Sequence, residues 1–161
     1  MNSIQKAPER PYYVALLGFI LACLAIGGLG GWVTAGSVAT WFPTLNKPPF
    51  NPPAWVFGPV WTTLYVMMGV AAWRVWRKAG WGTPLNLFTA QLALNCVWSF
   101  LFFGLQSPGL ALLDIVPLLV LILLTIRAFW PIDRIAGGLL MPYAAWVSFA
   151  TLLNASIWWL N

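Results

Sequence analysis

The sequence predicts an all-α membrane protein, a bundle of five transmembrane helices with a first loop rich in proline and tryptophan. Hydrophobic residues make up 61% of the 161 residues and charged residues only 7%, far below the roughly 25% charged content of soluble globular domains. The apolar residues form long continuous runs, whereas the strands of membrane β-barrels alternate in hydrophobicity. Because lipid offers the backbone no hydrogen bonds, such runs are stable as helices.

The first helix is predicted over residues 12–32. It follows the basic residues Lys6 and Arg10, as a signal peptide would. Its apolar run of about twenty residues, however, exceeds the roughly 7–15 residues of a signal-peptide core, so we expect a true membrane span. Small residues recur along it and predict close packing against a neighbouring helix: Ala15, Gly18, Ala22, Ala25, Gly27 and Gly31.

Four capping signals predict where the later helices begin. Asn51, Thr83 and Ser107 each precede a proline; such side chains accept a free backbone N–H, and proline loses nothing in the first turn. Asp133 predicts a fourth cap. The predicted helices cover residues 52–78, 84–104, 108–130 and 133–159, in a single domain of residues 1–161. Each has about 20 residues or more, enough to cross a hydrocarbon core about 30 Å thick. Three internal prolines are expected to kink their helices without ending them: Pro59, Pro117 and Pro142.

Five spans divide the basic residues very unequally between the two sides of the membrane. The side that carries the N-terminus has seven of them: Lys6, Arg10, Arg74, Arg77, Lys78, Arg127 and Arg134. The other side has only Lys47, in the first loop. Because positive residues favour the cytoplasmic side, we expect the N-terminus to face the cytoplasm.

Tryptophan is unusually frequent, with 12 residues. Eight lie near predicted helix ends, where indole rings favour the membrane interface: Trp41, Trp55, Trp73, Trp76, Trp81, Trp130, Trp158 and Trp159. Trp61, Trp98 and Trp146 lie away from these ends. Their N–H groups need partners inside the bundle or in a cavity, so these three are candidates for a ligand site.

Two helix faces combine amides with aromatic rings. Residues three or four apart are neighbours on a helix, and two such sets occur: Gln91, Asn95, Trp98 and Phe102 on helix three, and Trp146, Ala150 and Asn154 on helix five. Amides facing lipid are costly, so both faces are expected to point inwards. There they either form hydrogen bonds between helices or line a ligand cavity, and the sequence leaves both open.

Asp114 is the only acidic residue well inside an apolar segment. It lies beyond Pro108 by about 9 Å along the helix axis. A carboxylate inside the membrane is a functional candidate by default. Its shallow depth also allows a structural role, in which it forms a hydrogen bond with a neighbouring helix or loop.

Several classes of function have no support in the sequence. Histidine, the commonest general base and metal ligand, is absent. The sequence shows no nucleophile–base pair, paired carboxylates or metal-binding constellation, so neither hydrolytic or acid–base catalysis nor a metal site is predicted. The net charge of +5 lies mainly at helix ends, where it sets topology and attracts anionic lipid. It therefore does not imply nucleic-acid binding.

Three long motifs follow one another in the chain. They are W-F-x-x-L-x-K-P-P-F-x-P-P-x-W-V-F-x-x-V-W-T-x-L-Y at residues 41–65, L-N-x-x-W-S-x-L-F-F-G at residues 94–104, and P-Y-x-x-W-x-x-F-A-T-x-L-N at residues 142–154. Together they resemble the translocator protein / tryptophan-rich sensory protein family, also called peripheral-type benzodiazepine receptors. The resemblance covers about residues 12–161.

The resemblance implies a five-helix bundle, often a homodimer, with a pocket capped by the first loop. It also implies ligands: porphyrins and other haem-pathway tetrapyrroles, isoquinoline carboxamide and benzodiazepine drugs and, in animals, cholesterol. Carried over by motif, the pocket residues are Trp61, Asn95, Trp98, Phe102, Asp114, Trp146 and Asn154. The lid is Lys47, Pro48, Pro49, Phe50, Pro52 and Pro53, with Lys47 placed to meet a porphyrin carboxylate. The animal cholesterol motif needs a tyrosine followed by a basic residue, and residues 155–161 contain neither, which argues against sterol binding.

The sequence is therefore interpreted as a receptor or sensor in a bacterial membrane that binds protoporphyrin IX, haem or a related tetrapyrrole and requires no cofactor. One alternative is an enzyme that degrades porphyrin in light, with photochemical roles for Trp61 and Trp146. The other is a transporter of porphyrins or small molecules, for which Asp114 is the one candidate proton carrier.

Overall fold

The computed structural model describes residues 12–161 and has five helices long and apolar enough to cross a membrane. Helix α1 covers Tyr12–Thr40, α2 covers Ala54–Ala79, and α3 covers Thr83–Ser99. A π-helical turn at Phe100–Gly104 continues α3, and α4 covers Pro108–Phe129. The fifth span consists of a short α5, Arg134–Leu139, and a long α6, Met141–Leu160. The prediction of an all-α bundle with five spans is confirmed.

The sequence predicted that the first helix ends at Trp32, but α1 continues for eight more residues to Thr40. The glycines before Trp32 do not end the helix. The Gly30 position lies against α3, where an added Cβ would be 3.0 Å from Ser99 Oγ. Further along α1, Ser37 Oγ donates a hydrogen bond of 2.6 Å to the carbonyl of Phe103. These contacts keep the second half of α1 on the bundle and helical as far as Thr40.

The first half of α1 packs closely on α2. A Cβ at Gly69 would lie 2.7 Å from Ile20 Cα, and one at Gly27 would lie 2.5 Å from the Tyr65 ring. The predicted packing of the stripe Ala15, Gly18, Ala22 and Ala25 is wrong within this chain: no heavy atom lies within 4 Å of a Cβ at Gly18, and Ala22 and Ala25 are exposed.

Two of the four predicted caps are confirmed. Ser107 accepts from Leu110 N–H at 3.4 Å, and Asp133 accepts from Ile135 and Ala136 N–H at 2.9 and 3.1 Å. Asn51 is not a cap, since α2 begins at Ala54. The reason is steric: a residue before proline avoids the helical region, and Asn51 and Pro52 both precede prolines. Thr83 lies inside α3, which Gly82 precedes without a side-chain cap.

The fifth span breaks at Leu140, next to one of the predicted proline kinks. Pro142 has no N–H to donate to the preceding turn, and Leu140 N–H bonds instead to the Gly137 carbonyl at 3.2 Å. Pro59 and Pro117 remain inside α2 and α4. The π turn after α3, in which Leu105 N–H donates to the Phe100 carbonyl at 2.8 Å, was not predicted.

Asp133 joins the ends of α2 and the fifth span. Its carboxylate, with a side chain only 2% exposed, lies 2.9 Å from Arg74 Nη2 and 2.8 Å from Lys78 Nζ. Burial raises the pKa of Asp133, but hydrogen bonds from Lys78, from the backbone of Ala136 and from Arg74 outweigh it. The net result is a pKa well below the usual range, so the native state holds this carboxylate ionised.

We expect Asp133→Asn to destabilise the protein by roughly 1–3 kcal/mol, less than a fully buried pair would lose because Arg74 and Lys78 are partly exposed. The pKa of Asp133 is lowered on folding, so its contribution is present above the unfolded pKa of about 4 and is lost as the pH falls towards the folded value. Thermal unfolding in detergent between about pH 3 and 7 should show a smaller pH dependence for the variant. An unchanged pH profile would contradict this role.

Candidate functional site

A cavity of about 460 Å³ lies among the membrane-spanning helices. Helices α1, α2, α3 and α6 supply most of its walls, and Phe42 of the first loop contributes at one end. The size falls within the range of about 300–1,000 Å³ that is typical of small-molecule sites. Its lining is largely apolar and aromatic, with few polar side chains.

Six of the seven predicted pocket residues line this cavity: Trp61, Asn95, Trp98, Phe102, Trp146 and Asn154. They come from α2, α3 with its π turn, and α6. Both helix faces deduced from spacing therefore point inwards, apart from Gln91, which is buried outside the cavity wall.

Asp114, which the resemblance places in the pocket, does not line this cavity. No residue of α4 belongs to the cavity wall, because α4 packs on the outer sides of α3 and α6. The Asp114 side chain is buried in that packing, and its Oδ2 has no hydrogen-bond partner among the described residues. Phe102 and Leu153, which do line the cavity, pack in one cluster with Ala111 of α4.

Aromatic rings pair with one another along the cavity walls, and three of these pairs involve the predicted tryptophans Trp61, Trp98 and Trp146. The Trp61 and Tyr65 rings stack with centroids 5.6 Å apart, and the Trp98 and Phe102 rings stack at 5.1 Å. Phe57 meets Trp146 edge to face at 5.8 Å. Such pairs are rigid and present flat apolar surfaces. The walls are thus suited to a flat aromatic ligand.

The amides in the cavity wall are already used in bonds between helices. Asn95 Oδ1 accepts from the Tyr65 hydroxyl, and Asn95 Nδ2 donates to the Tyr143 hydroxyl at 3.0 Å. That hydroxyl donates in turn to Gln91 Oε1 at 2.7 Å. This chain of hydrogen bonds joins α2, α3 and α6 in the apolar interior, where unpaired polar groups are expensive.

Asn154 has a similar structural role at the loop end of the cavity. Its Oδ1 accepts from Trp98 Nε1 at 3.0 Å, and its Nδ2 donates to the Pro108 carbonyl at 2.7 Å. Asn154 thereby connects α6 with α3 and with the start of α4. Of the two readings that the sequence left open for the amides, the structure shows bonding between helices at the cavity wall itself.

Three donor groups of the cavity wall are left to meet a ligand: the indole N–H groups of Trp61 and Trp146 and the hydroxyl of Ser99. Both rings line the cavity and both are half-buried. Unlike Trp98, neither indole forms a hydrogen bond with any residue in the part of the chain that the structure describes. Each can therefore donate to a carbonyl or carboxyl oxygen of a bound molecule.

The predicted lid residues lie outside the cavity. Lys47 Nζ donates to the carbonyls of Phe42 and Leu45 at 2.8 and 2.9 Å and lies 5.0 Å from the Phe42 ring centre. It thus closes the turn at Phe42–Thr44 and does not point at the cavity. Pro48 and Pro49 line a shallow outer groove with Lys47, and neither Phe50 nor Pro52 nor Pro53 belongs to the cavity wall. The part of the loop that covers the cavity is Phe42.

Sequence reasoning missed four aromatic residues of the cavity wall: Phe42, Phe57, Tyr65 and Phe103. Phe57 and Tyr65 lie one turn on either side of Trp61, so the helical spacing used for α3 and α6 would have found them. Phe42 has no comparable signal, because a loop has no period. Among residues 12–161 there is also no group of three or more His, Cys, Asp or Glu residues that could hold a metal ion.

The TspO/MBR family model matches residues 19–160, almost the whole of the described structure. The chain belongs to the TspO/MBR family. It is 44% identical to the tryptophan-rich protein TspO of Archaeoglobus fulgidus over 91% of this chain and 96% of that protein. The human translocator protein is 39% identical over 92% of this chain and 90% of its own length. The tryptophan-rich sensory protein of Cereibacter sphaeroides is 38% identical over 92% of both chains.

Membership of the TspO/MBR family agrees with the resemblance of the three motifs. The five apolar helices and these relatives show that the chain is a multi-pass membrane protein. Its cavity is built at the positions where those motifs lie, in α2, at the end of α3 and in α6.

Proposed function

We propose that this protein is a membrane receptor or sensor that binds porphyrin-like tetrapyrroles in the cavity between its helices. The observation that carries the proposal is a cavity of about 460 Å³ whose walls are rich in stacked aromatic rings and whose free donors include two indole N–H groups. A flat aromatic macrocycle stacks on such walls, and the indoles can donate to a ligand that carries a carbonyl acceptor. Isoquinoline carboxamides combine a flat ring with a carbonyl acceptor and fit the same description.

Binding is tested by titrating protoporphyrin IX into the purified protein in the dark and measuring tryptophan fluorescence. Saturable quenching that an isoquinoline carboxamide reverses by competition is the expected result. Quenching that rises linearly with ligand, and equally in an unrelated helical membrane protein, would show partition into detergent and contradict the proposal.

The charge of the cavity leads to a prediction about the porphyrin carboxylates. No Lys or Arg belongs to the described cavity wall, and Lys47 is held by loop carbonyls. A buried carboxylate without a cation is expensive, so we expect the macrocycle to enter while its carboxylates stay outside the wall. Protoporphyrin IX and its dimethyl ester should then bind with affinities within about threefold of each other, since no charge-assisted bond is lost. A large preference for the acid would contradict this binding mode.

Light-dependent porphyrin degradation is a second candidate, and one observation favours it. Trp61 and Trp146 both line the cavity, and Trp61 stacks on Tyr65, so oxidisable rings lie where the porphyrin would bind. Loss of porphyrin absorbance under illumination with dissolved dioxygen as the oxidant, present in the wild type and absent in Trp61→Phe, would support it. Proton-coupled transport has less support, because Asp114 lies away from the cavity.

We also propose that the N-terminus faces the cytoplasm of a bacterial cell and that the protein forms a homodimer. The described basic residues support the orientation: Arg74 and Lys78 at the end of α2 contact Asp133 at the start of the fifth span. Lys6 and Arg10, which the sequence places on the same side, lie outside the described residues. Because positive residues favour the cytoplasm, reporter fusions should be active on the cytoplasmic side at the N-terminus and on the opposite side at Asn161. Both termini on one side would contradict this topology.

A further inference from the structure

The cavity wall is most exposed along α1 and α2. On α3 and α6, Asn95, Phe102 and Leu153 of the wall are buried. On α1 and α2, by contrast, five residues that line the cavity are also exposed. These residues, here called the α1–α2 gap, are Gly28, Gly31, Ala54, Gly58 and Thr62.

The gap exists because α1 changes its neighbour along its length. In its first half α1 touches α2, where Gly69 admits the backbone of Ile20 and Trp73 Nε1 donates to the Tyr12 carbonyl at 3.0 Å. In its second half α1 touches α3, where an added Cβ at Gly104 would lie 3.2 Å from Val33 Cγ1. Helix α1 therefore packs on α2 near its start and on α3 near its end. Towards the first loop, α1 no longer packs on α2.

Glycines keep this gap clear of side chains. No heavy atom lies within 4 Å of a Cβ built at Gly28, Gly31 or Gly58. These positions contrast with Gly27, one residue away, where the Tyr65 ring fills the space. Since glycine in a helix costs up to about 1 kcal/mol relative to alanine, three glycines that pack against nothing have no structural benefit to offset that cost.

The α1 side of the gap, at Gly28 and Gly31, lies at the depth expected for the lipid chains. Helix α1 has 29 residues and is therefore about 43 Å long, longer than a hydrocarbon core of about 30 Å. Gly28 lies about 18 Å along the axis from its end at Thr40. A molecule beside these two α1 glycines would be in contact with lipid tails.

The aqueous end of the cavity is covered. Phe42 packs against Phe102 and Phe103, with ring centres 6.4 and 5.9 Å apart. The loop that carries it is tied to the end of α6, since Asn46 N–H donates to Asn161 Oδ1 and Asn161 Nδ2 donates to the Asn46 carbonyl, both at 2.9 Å.

We propose that the α1–α2 gap is a lateral portal through which the ligand passes between the cavity and the lipid bilayer. The proposal rests on the proposed function. It specifies the ligand as a flat molecule that is dissolved in the membrane before it binds, since thin rings pass between glycine backbones and apolar rings partition into lipid. The loop at the aqueous end stays closed during exchange.

Two variants in proteoliposomes test the portal, with association and dissociation of protoporphyrin IX followed by stopped-flow tryptophan fluorescence. Gly31→Leu places a side chain in the gap and should slow both rates by about tenfold, as expected for a blocked passage. Gly18→Leu is the matched control, because Gly18 is an exposed α1 glycine with free space that does not line the cavity. It should leave both rates unchanged.

The second variant closes the loop covalently. Asn46→Cys with Asn161→Cys allows a disulfide between the loop and α6, and its formation is verified by mass before the kinetics. A lateral portal leaves the rates unchanged on oxidation, whereas an aqueous route stops exchange until a reductant is added. The wild type, whose Cys23 and Cys96 are free, is oxidised in parallel as the control.

Three results would overturn the portal: exchange that stops when the loop is cross-linked, unchanged rates in Gly31→Leu, or faster dissociation in Gly31→Leu. The last would show that residue 31 only takes up cavity space. These outcomes differ from a failure of the proposed function, in which the wild type shows no saturable quenching at equilibrium.

Discussion

Gly69→Leu is expected to prevent the protein from folding into a stable bundle. A Cβ at residue 69 would lie 2.7 Å from Ile20 Cα, 2.9 Å from its backbone N and 3.0 Å from the Phe19 carbonyl oxygen. All three atoms belong to the α1 backbone, which cannot move aside as a flexible side chain would. The helices would have to separate along their main contact, so the loss should exceed the roughly 1–3 kcal/mol of ordinary overpacking.

The measurement is the yield of monodisperse protein in detergent and its thermal unfolding temperature. Gly69→Ala, with a single methyl group, should destabilise by roughly 1–3 kcal/mol. Gly18→Ala and Gly18→Leu are the controls, because a Cβ there meets nothing within 4 Å. Since alanine is favoured over glycine in helices, Gly18→Ala should be neutral or stabilising. Equal behaviour of the two positions would mean that α1 does not pack on α2 in this way.

The sequence predicted the five spans well because each apolar run is long enough to cross a bilayer and has little choice of structure there. It was less reliable on where helices end. Ser107 and Asp133 act as caps as predicted, but Asn51 precedes two prolines that delay the start of α2. The end of α1 depends on contacts with Ser99 and Phe103 of α3, which no pattern within α1 reveals.

Glycine shows why composition alone does not reveal packing. Within α1, Gly27 admits the Tyr65 ring, Gly18 faces away from the bundle, and Gly28 borders the cavity. These three positions have the same residue, the same helix and different functions. What distinguishes them is the neighbouring helix, and the direction in which α1 leans is a property of the assembled bundle.

The cavity was partly predictable from spacing. Trp98 and Phe102, four residues apart on α3, and Trp146 and Asn154 on α6 line it together, because residues on one helix face share their surroundings. The role of the amides was not predictable. Asn95 lies in the cavity wall but is bound to Tyr65 and Tyr143, partners that lie far from it in sequence.

Lys47 and Asp114 show the limit of assigning roles by charge. A lone cation in a loop and a lone acid in a span each suggested a contact with the ligand. Lys47 instead satisfies the carbonyls of a tight turn, and Asp114 is buried where α4 packs on its neighbours. Lys47 thus satisfies its charge within the loop, whereas Asp114 Oδ2 has no partner among the described residues. The folded loop and the helix packing determine both outcomes, and a single charged residue in the sequence reveals neither.

Trp146→Ala is expected to weaken porphyrin binding by roughly 1–3 kcal/mol, that is by about 5-fold to 150-fold in Kd. The substitution removes a flat wall that packs against Phe57 and Phe149. Trp146→Phe keeps an aromatic ring in the wall, so it should weaken porphyrin binding much less than Trp146→Ala does. Dissociation constants from fluorescence titration in the dark, with unfolding temperatures measured alongside, give both comparisons.

Trp159→Ala is the matched control, since this indole is 81% exposed and does not line the cavity. It should bind protoporphyrin IX as the wild type does, because an indole at the membrane interface makes no contact with a ligand between the helices. If Trp146→Ala and Trp159→Ala lost affinity equally while both stayed folded, the porphyrin would have to bind on the outer surface. In that case the aromatic cavity would serve packing alone, and the tryptophans of α2 and α6 would have to be reassigned from binding the ligand to holding the helices together.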